Sequence, residues 1–315
     1  MRFSRRGKTF RPFCQLVGVK AHGYFKRLQR VLVDFGAESS FAKSVARLEE
    51  HYGISIPTSS VRKQTLAHGR RMVSIPDAQH AKAASQLITQ MDGSMIPVMQ
   101  PGTGEDRRQG KSLFWREVKL CCARSKGQAQ AYYAATLGSA ETAGWVWREI
   151  AQACGLKPKT QVRILDKFKD NFGWQGSYLL DFYHVSQYLA AAAPPYKHSA
   201  KQKQWLRRQQ GRLLNNQPEK VLKSLAGRLE PKETTEAPIR AAYDYITTRV
   251  AHLDYLSARK GELPIGSGEV ESGHGHVIQD RLKLSGCWWK EVNAAAILNL
   301  RVARANDLWQ TYWSN

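Results

Sequence analysis

The feature that most constrains this chain is a change of apolar period near residue 86. Upstream, apolar residues recur at helical spacing, as in "VKAHGYFKRLQRVLVDFG" and "SSFAKSVARLEEHYGISIPTSSVRKQT". In the second stretch Phe41, Val45 and Leu48 share one helix face. Downstream the runs shorten and read as strands: "LITQMDGSMIPVM", "SLFWREVKLCCARS" and "AQAYYAATLG". "SAETAGWVWREIAQACG" returns to helical spacing, with Ala143, Val146, Trp147 and Ile150 on one face and Gly155 stopping it. "QVRIL" and "GSYLLDFYH" read as two further strands, and "VSQYLAAAA" as a helix that ends before Pro194 and Pro195.

Strand, strand, strand, helix, strand, short connector, strand, helix is an order with few solutions. It matches a ribonuclease-H-like core, a mixed sheet whose first, fourth and fifth strands run parallel. The expected fold class is therefore mixed α/β. Residues 1–80 form a basic helical region, residues 85–196 the first part of the core, and residues 197–260 a basic helical insertion. Residues 261–315 return to the core. Within residues 1–80, a helix, a turn at Gly53 and Ile54, and a helix opening at Pro57-Thr58-Ser59-Ser60 fit a helix-turn-helix, with Arg62 and Lys63 as DNA contacts. An ordinary helical hairpin has the same spacing.

Charge narrows the partners. Lys and Arg number 48 against 26 Asp and Glu, a formal net charge of +22. Residues 1–33 carry nine Lys or Arg and no acid, and residues 197–232 carry ten against only Glu219 and Glu230. Such a balance selects polyanions, of which nucleic acid is the commonest. No apolar run reaches the length of a membrane span, and the basic N-terminus lacks the apolar core of a secretory signal. The five cysteines are an odd number without framework spacing, which suits a reducing cytoplasm.

Against this basic background, "GELPIGSGEVESGHGH" gathers Glu269 and Glu271 behind a Gly-Ser-Gly turn. Acids in a first helical turn complement the helix dipole. Two residues apart, they diverge by about 200° on a helix, so only one can face a given site. Asp92, in "QMDGSMIPV", lies within the first strand beside Gly93; a turn-initiating Asp-Gly is its plain alternative. Taken together, the acids become two ends of a metal clamp. Cutting and rejoining a phosphodiester needs the attacking and leaving oxygens stabilised at once, which two Mg²⁺ ions about 3.5–4 Å apart achieve when carboxylates hold them. Mn²⁺ would substitute.

"DGS" at 92–94, "REVKL" at 116–120, "LLDFYHVSQYLA" at 179–190, "LPIGSGEVES" at 263–272 and "RLKLSGCWW" at 281–289 occur in this order. Together they resemble the bacterial insertion-sequence DDE transposases of the ISKra type, relatives of the Mutator-like group, over roughly residues 85–313. The resemblance implies a ribonuclease-H-like catalytic core, Mg²⁺, and hydrolysis followed by strand transfer on double-stranded DNA. It also implies a bacterial cytoplasm and association with the nucleoid. Two DNA ends to be joined imply a homo-oligomer. Asp92 matches the family's first acid and Glu271 its last, while Glu269 falls at a variable position and reads as a solvated first-turn acid. Asp181 and His184 match the family's Asp-x-x-His signature, in a supporting role.

The family's second acid lies in a block resembling "GDGAxWI", and this chain reads "VRILDKFKDNFGWQGSYLLDFYH" instead. Asp166 directly follows the strand, where a second acid would have to sit, with Asp170 a weaker substitute. Either Asp166 completes the catalytic and metal-binding set with Asp92 and Glu271, or an internal deletion leaves a catalytically inactive remnant that only binds DNA. Trp288 and Trp289 lie beside Arg281, Lys283 and Lys290, a mixture suited to stacking on an unpaired base. Core packing is the alternative for at least one of these tryptophans, and the expected role of Trp145, Trp147, Trp309 and Trp313. The "GHGH" pair, His274 and His276, is not expected to bind a metal.

Overall fold

The computed structural model describes residues 3–5, 8–10, 23–102, 110–165, 169–194 and 199–314. Two short strands, β1 (Phe3–Arg5) and β2 (Lys8–Phe10), open the chain as an antiparallel pair with Phe3 opposite Phe10. Helical spacing is expected of these residues and the structure departs from it.

Three helices follow: α1 (Lys26–Glu38), α2 (Phe41–Tyr52) and α3 (Thr58–Gly69). Ser40 caps α2 by accepting the Lys43 amide at 3.2 Å, and Gly53 ends it at a φ of 62°, a left-handed conformation that suits a residue without Cβ.

The central sheet has five strands: β3 (Gln86–Gln100), β4 (Ser112–Ser125), β5 (Tyr132–Thr136), β6 (Gln161–Leu165) and β7 (Gly176–Leu179). Their order across the sheet is β5-β4-β3-β6-β7. β3 pairs antiparallel with β4 and parallel with β6, and β6 pairs parallel with β7, so β3, β6 and β7 run the same way. The expected last strand is shortened, because Asp181 caps a helix that already begins at Phe182.

Between β5 and β6 lies α4 (Ala140–Ala153), capped by Ser139 on the Thr142 amide. Its Ala143, Trp147, Ile150 and Ala151 pack under Leu87, Met91, Cys121, Val162 and Ile164. Trp147 is fully buried, as expected; Trp145, also expected in the core, is 62% exposed on the opposite side of the helix. A 3-10 turn (Lys169–Gln175) leads into β7.

Helix α5 (Phe182–Ala191) follows β7 and packs with the insertion, which comprises α6 (Ser199–Leu214), α7 (Pro218–Ala226), α8 (Pro238–Thr247) and α9 (Tyr255–Lys260). The chain returns through α10 (Gly268–Gly273), a π-helical turn (His274–Gln279), α11 (Asp280–Leu282), α12 (Glu291–Ala305) and α13 (Trp309–Ser314).

The largest core joins distant parts of the sequence. Val33, Ala37 and Leu66 of α1 and α3 share it with Ile96, Val98, Val118 and Leu120 of the sheet and with Ile297, Leu298 and Leu300 of α12. Gly69 lets α3 approach α12 closely: a Cβ there would lie 2.2 Å from the Ala296 carbonyl oxygen. Arg301 pairs with Glu38, and Arg304 pairs with Asp34 and Glu38, tying α12 to α1. Trp309 and Trp313 are buried at the end of this core, in the packing role expected of them. Among the described residues, no helix is long and apolar enough to cross a membrane.

Candidate active site

The site begins with the way α10 lies along β3. Gln90 is fully buried; its Oε1 accepts the Val270 amide at 3.0 Å, and its Nε2 reaches Glu269 Oε2 at 3.5 Å. Two residues further on the same strand face, Asp92 Oδ2 lies 3.2 Å from His274 Nε2. Two strand residues span about 6.8 Å and four helical residues about 6 Å, so the two contacts keep step and the helix tracks the strand. Gly273 permits the approach, since a Cβ there would meet Tyr133 at 2.7 Å and Leu120 at 2.9 Å.

Asp92 is thereby held at a defined orientation. Its Oδ1 accepts the Gly93 amide at 2.8 Å, while the side chain is 37% exposed. His274 is buried.

Glu271 is exposed, and its Oε1 lies 3.1 Å from Ser267 Oγ. The same hydroxyl lies 2.5 Å from Asp181 Oδ2, which also accepts the Ser267 amide at 2.6 Å. One hydroxyl carries one hydrogen, and the shorter contact takes the larger share, so Glu271 is steered but weakly bound. Asp181 Oδ1 accepts the amides of Tyr183 and His184 at 2.6 and 3.0 Å, which makes it the N-cap of α5. Asp181 is 1% exposed and accepts four hydrogen bonds, and His184 reaches it through its backbone amide.

Glu269 differs from the expected solvated acid. It pairs with Arg124 of β4, because Arg124 and Gln90 both lie on the sheet face beneath the start of α10. β6 ends at Leu165, whose Cα partners are Gln90 and Leu179, so β6 and β7 finish at the level where α10 begins. Asp166 lies outside the described residues, as does the side chain of Asp170.

A second feature lies at the far end of β3. The turn before α12 joins the sheet there, with the Trp289 amide donating to Pro97 O at 3.1 Å and the Met99 amide to Trp289 O at 2.8 Å. Between this turn and the start of α3 runs a groove of about 1140 Å³, lined by Arg62, Lys63, Arg281, Trp288 and Trp289 among others. Arg62 and Lys63 are exposed. Trp288 is exposed, its ring centroid 6.3 Å from that of Trp115 on β4. Trp289 is buried and donates Nε1–H to Leu282 O at 3.1 Å. Arg281 is buried against the rings of Phe41 and Trp289, 4.7 and 4.8 Å from their centroids. Burial lowers its pKa to about 10, which leaves it a cation at neutral pH. Lys283 is exposed and does not line the groove.

Four residues escape the sequence reasoning: Gln90, Arg124, Ser267 and His274. The period of two alone puts Gln90 on the face of Asp92. Ser267 stands in the Gly-Ser-Gly turn, but nothing in that turn marks its contact with Asp181. Arg124 and His274 meet their partners across the fold, and no local pattern, the GHGH pair included, marks those contacts.

No protein-family model matches the sequence, and no curated protein matches it. Among solved structures, a Drosophila P element transposase strand transfer complex is similar over 95% of this chain and 83% of that chain, at 9% identity and a TM-score of 0.33. A likeness that loose carries no argument about what this chain does.

Proposed function

We propose that the chain is a DNA transposase in which a ribonuclease-H-like sheet carries a Mg²⁺-dependent centre for phosphodiester hydrolysis and strand transfer. The observation that carries this is the register of α10 on β3, in which Gln90 meets Val270 and Asp92 meets His274, so that the helix bearing Glu271 follows the strand bearing Asp92. The strand order β5-β4-β3-β6-β7, with three parallel members, supports the same core.

Asp92, Glu271 and Asp166 are the residues that would hold the metal, with Mn²⁺ as a substitute. Carboxylate oxygens are the hard donors that Mg²⁺ takes. The described residues supply two of the three proposed donors, and no group of three or more His, Cys, Asp or Glu among them is close enough to hold an ion. When bound, the metal stabilises the attacking and leaving oxygens of an in-line displacement. The protein's own contribution is positional. His274 orients the Asp92 carboxylate, and Ser267, anchored by buried Asp181, steers Glu271. Basic surfaces bind double-stranded DNA, and joining two ends requires at least a pair of protomers.

A nicking assay on supercoiled plasmid with Mg²⁺ tests the proposal. Wild type is expected to yield open circles, and Asp92→Asn or Glu271→Gln to lower the rate by at least about 10²-fold, the scale for removing one transition-state electrostatic group. A binding-only remnant is the second reading, favoured by the short connector between Leu165 and Gly176. It predicts salt-sensitive DNA binding with no Mg²⁺-dependent nicking.

A further inference from the structure

We propose that the groove between the start of α3 and the turn before α12 is a phosphate site that grips one backbone phosphate of bound DNA from two sides; the choice of DNA as occupant rests on the function proposed above. One side is the N-terminus of α3. This twelve-residue helix has Pro57 at its N-cap, so no side-chain oxygen takes up the first amides. Pro57 O accepts the Ser60 and Val61 amides, leaving those of Thr58 and Ser59 at the exposed end, where the helix dipole also favours an anion.

The other side is Arg281. Its Nε donates to Gly36 O at 3.0 Å, and the rings of Phe41 and Trp289, set nearly perpendicular to each other, pack against the guanidinium. Its Nη2 has no hydrogen-bond partner, although the residue is 1% exposed and lines the groove. A buried cation with a donor left over calls for an acceptor, and the groove is where one can arrive. Arg62, Lys63, Arg70 and Lys290 also line this groove, and no Asp or Glu does. A doubly liganded oxyanion fits this set; a carboxylate side chain of the protein itself is not supplied. Residues that the sequence assigns to separate segments, the candidate helix-turn-helix and the C-terminal block, thereby act on one strand of nucleic acid.

Because Arg281 also holds Gly36, its removal would perturb folding, and exposed Ser59 is the better place to test. Ser59→Glu puts a negative charge in the phosphate position while suiting a first helical turn, so the variant keeps or raises its unfolding temperature. Thr235→Glu makes the same charge change at an exposed position outside the groove. Binding of a short labelled duplex is measured by anisotropy across a KCl series, and inorganic phosphate is titrated against unfolding temperature. Ser59→Glu is expected to weaken duplex binding about tenfold and to reduce the salt slope by about one, with Thr235→Glu near wild type. The phosphate-induced rise in unfolding temperature is expected in wild type and Thr235→Glu, and lost in Ser59→Glu. Duplex binding that is equal in the two variants overturns the proposal while leaving a DNA-binding enzyme intact. A response to phosphate with no difference in duplex binding rejects DNA as the occupant. If wild type binds no duplex, the functional proposal fails with it.

Discussion

Asp181 illustrates how much one buried carboxylate organises here. Each of its oxygens accepts two hydrogens, Oδ1 from the Tyr183 and His184 amides and Oδ2 from the Ser267 amide and hydroxyl. Asn offers one acceptor oxygen, so whichever pair meets its amide nitrogen faces donor against donor. Asp181→Asn is therefore expected to destabilise by about 2–4 kcal/mol, from a weakened helix cap and lost charge-assisted bonds, measured by calorimetric unfolding; an unchanged unfolding temperature would contradict this. His68 offers a pH test. Gln29 donates its amide nitrogen to Tyr24 O, so its oxygen faces His68 Nε2 at 2.9 Å, while Nδ1 meets Tyr312 at 2.8 Å. Burial, then the charge of Arg71, lowers the His68 pKa from 6.5 to about 4. The unfolded chain then binds the proton more readily than the folded one, so this contribution is complete above about pH 6.5 and is lost as pH falls toward 4. Unfolding temperature should drop across that window, and less steeply in His68→Asn. Equal slopes would contradict the assignment.

Among the elements, α10 depends on the absence of a side chain at Gly273. Gly273→Ala drives a methyl into Tyr133 and Leu120, an overpacking cost of about 1–3 kcal/mol only partly offset by about 1 kcal/mol of helix propensity. A lower unfolding midpoint is expected, and a raised one would show that the helix is not held against the sheet. The elements themselves were largely legible. The five strands and α4 follow from periods of two and 3.6, and Ser40, Ser139 and Gly53 mark helix ends by their own chemistry. Limits were less legible: β7 stops at Leu179 because Asp181 prefers to cap, a competition that apolar pattern does not register. Partners were least legible. Glu269 looks solvated until the fold brings up Arg124 from β4, and His274 shows no partner until the fold sets it 3.2 Å from Asp92. Arg281 and Trp289 carry a basic-aromatic pattern suited to DNA, yet both are buried by packing against Phe41 of a distant helix.

For the whole molecule, a net charge of +22 and a small set of clustered acids have a common explanation if DNA and a divalent metal meet at one sheet edge. The shared core of α1, α3, α12 and the sheet fixes the N-terminal helices relative to the strand that carries Asp92. The most direct test is a calorimetric Mn²⁺ titration of the full chain in four forms: wild type, Asp92→Asn, Glu271→Gln and Asp166→Asn. A metal centre built from these acids predicts saturable binding in wild type and at least about tenfold weaker binding in each variant, a loss of roughly 1.4 kcal/mol or more. Wild type that shows no saturable Mn²⁺ binding, even with DNA present, would contradict the enzyme and leave a DNA-binding protein.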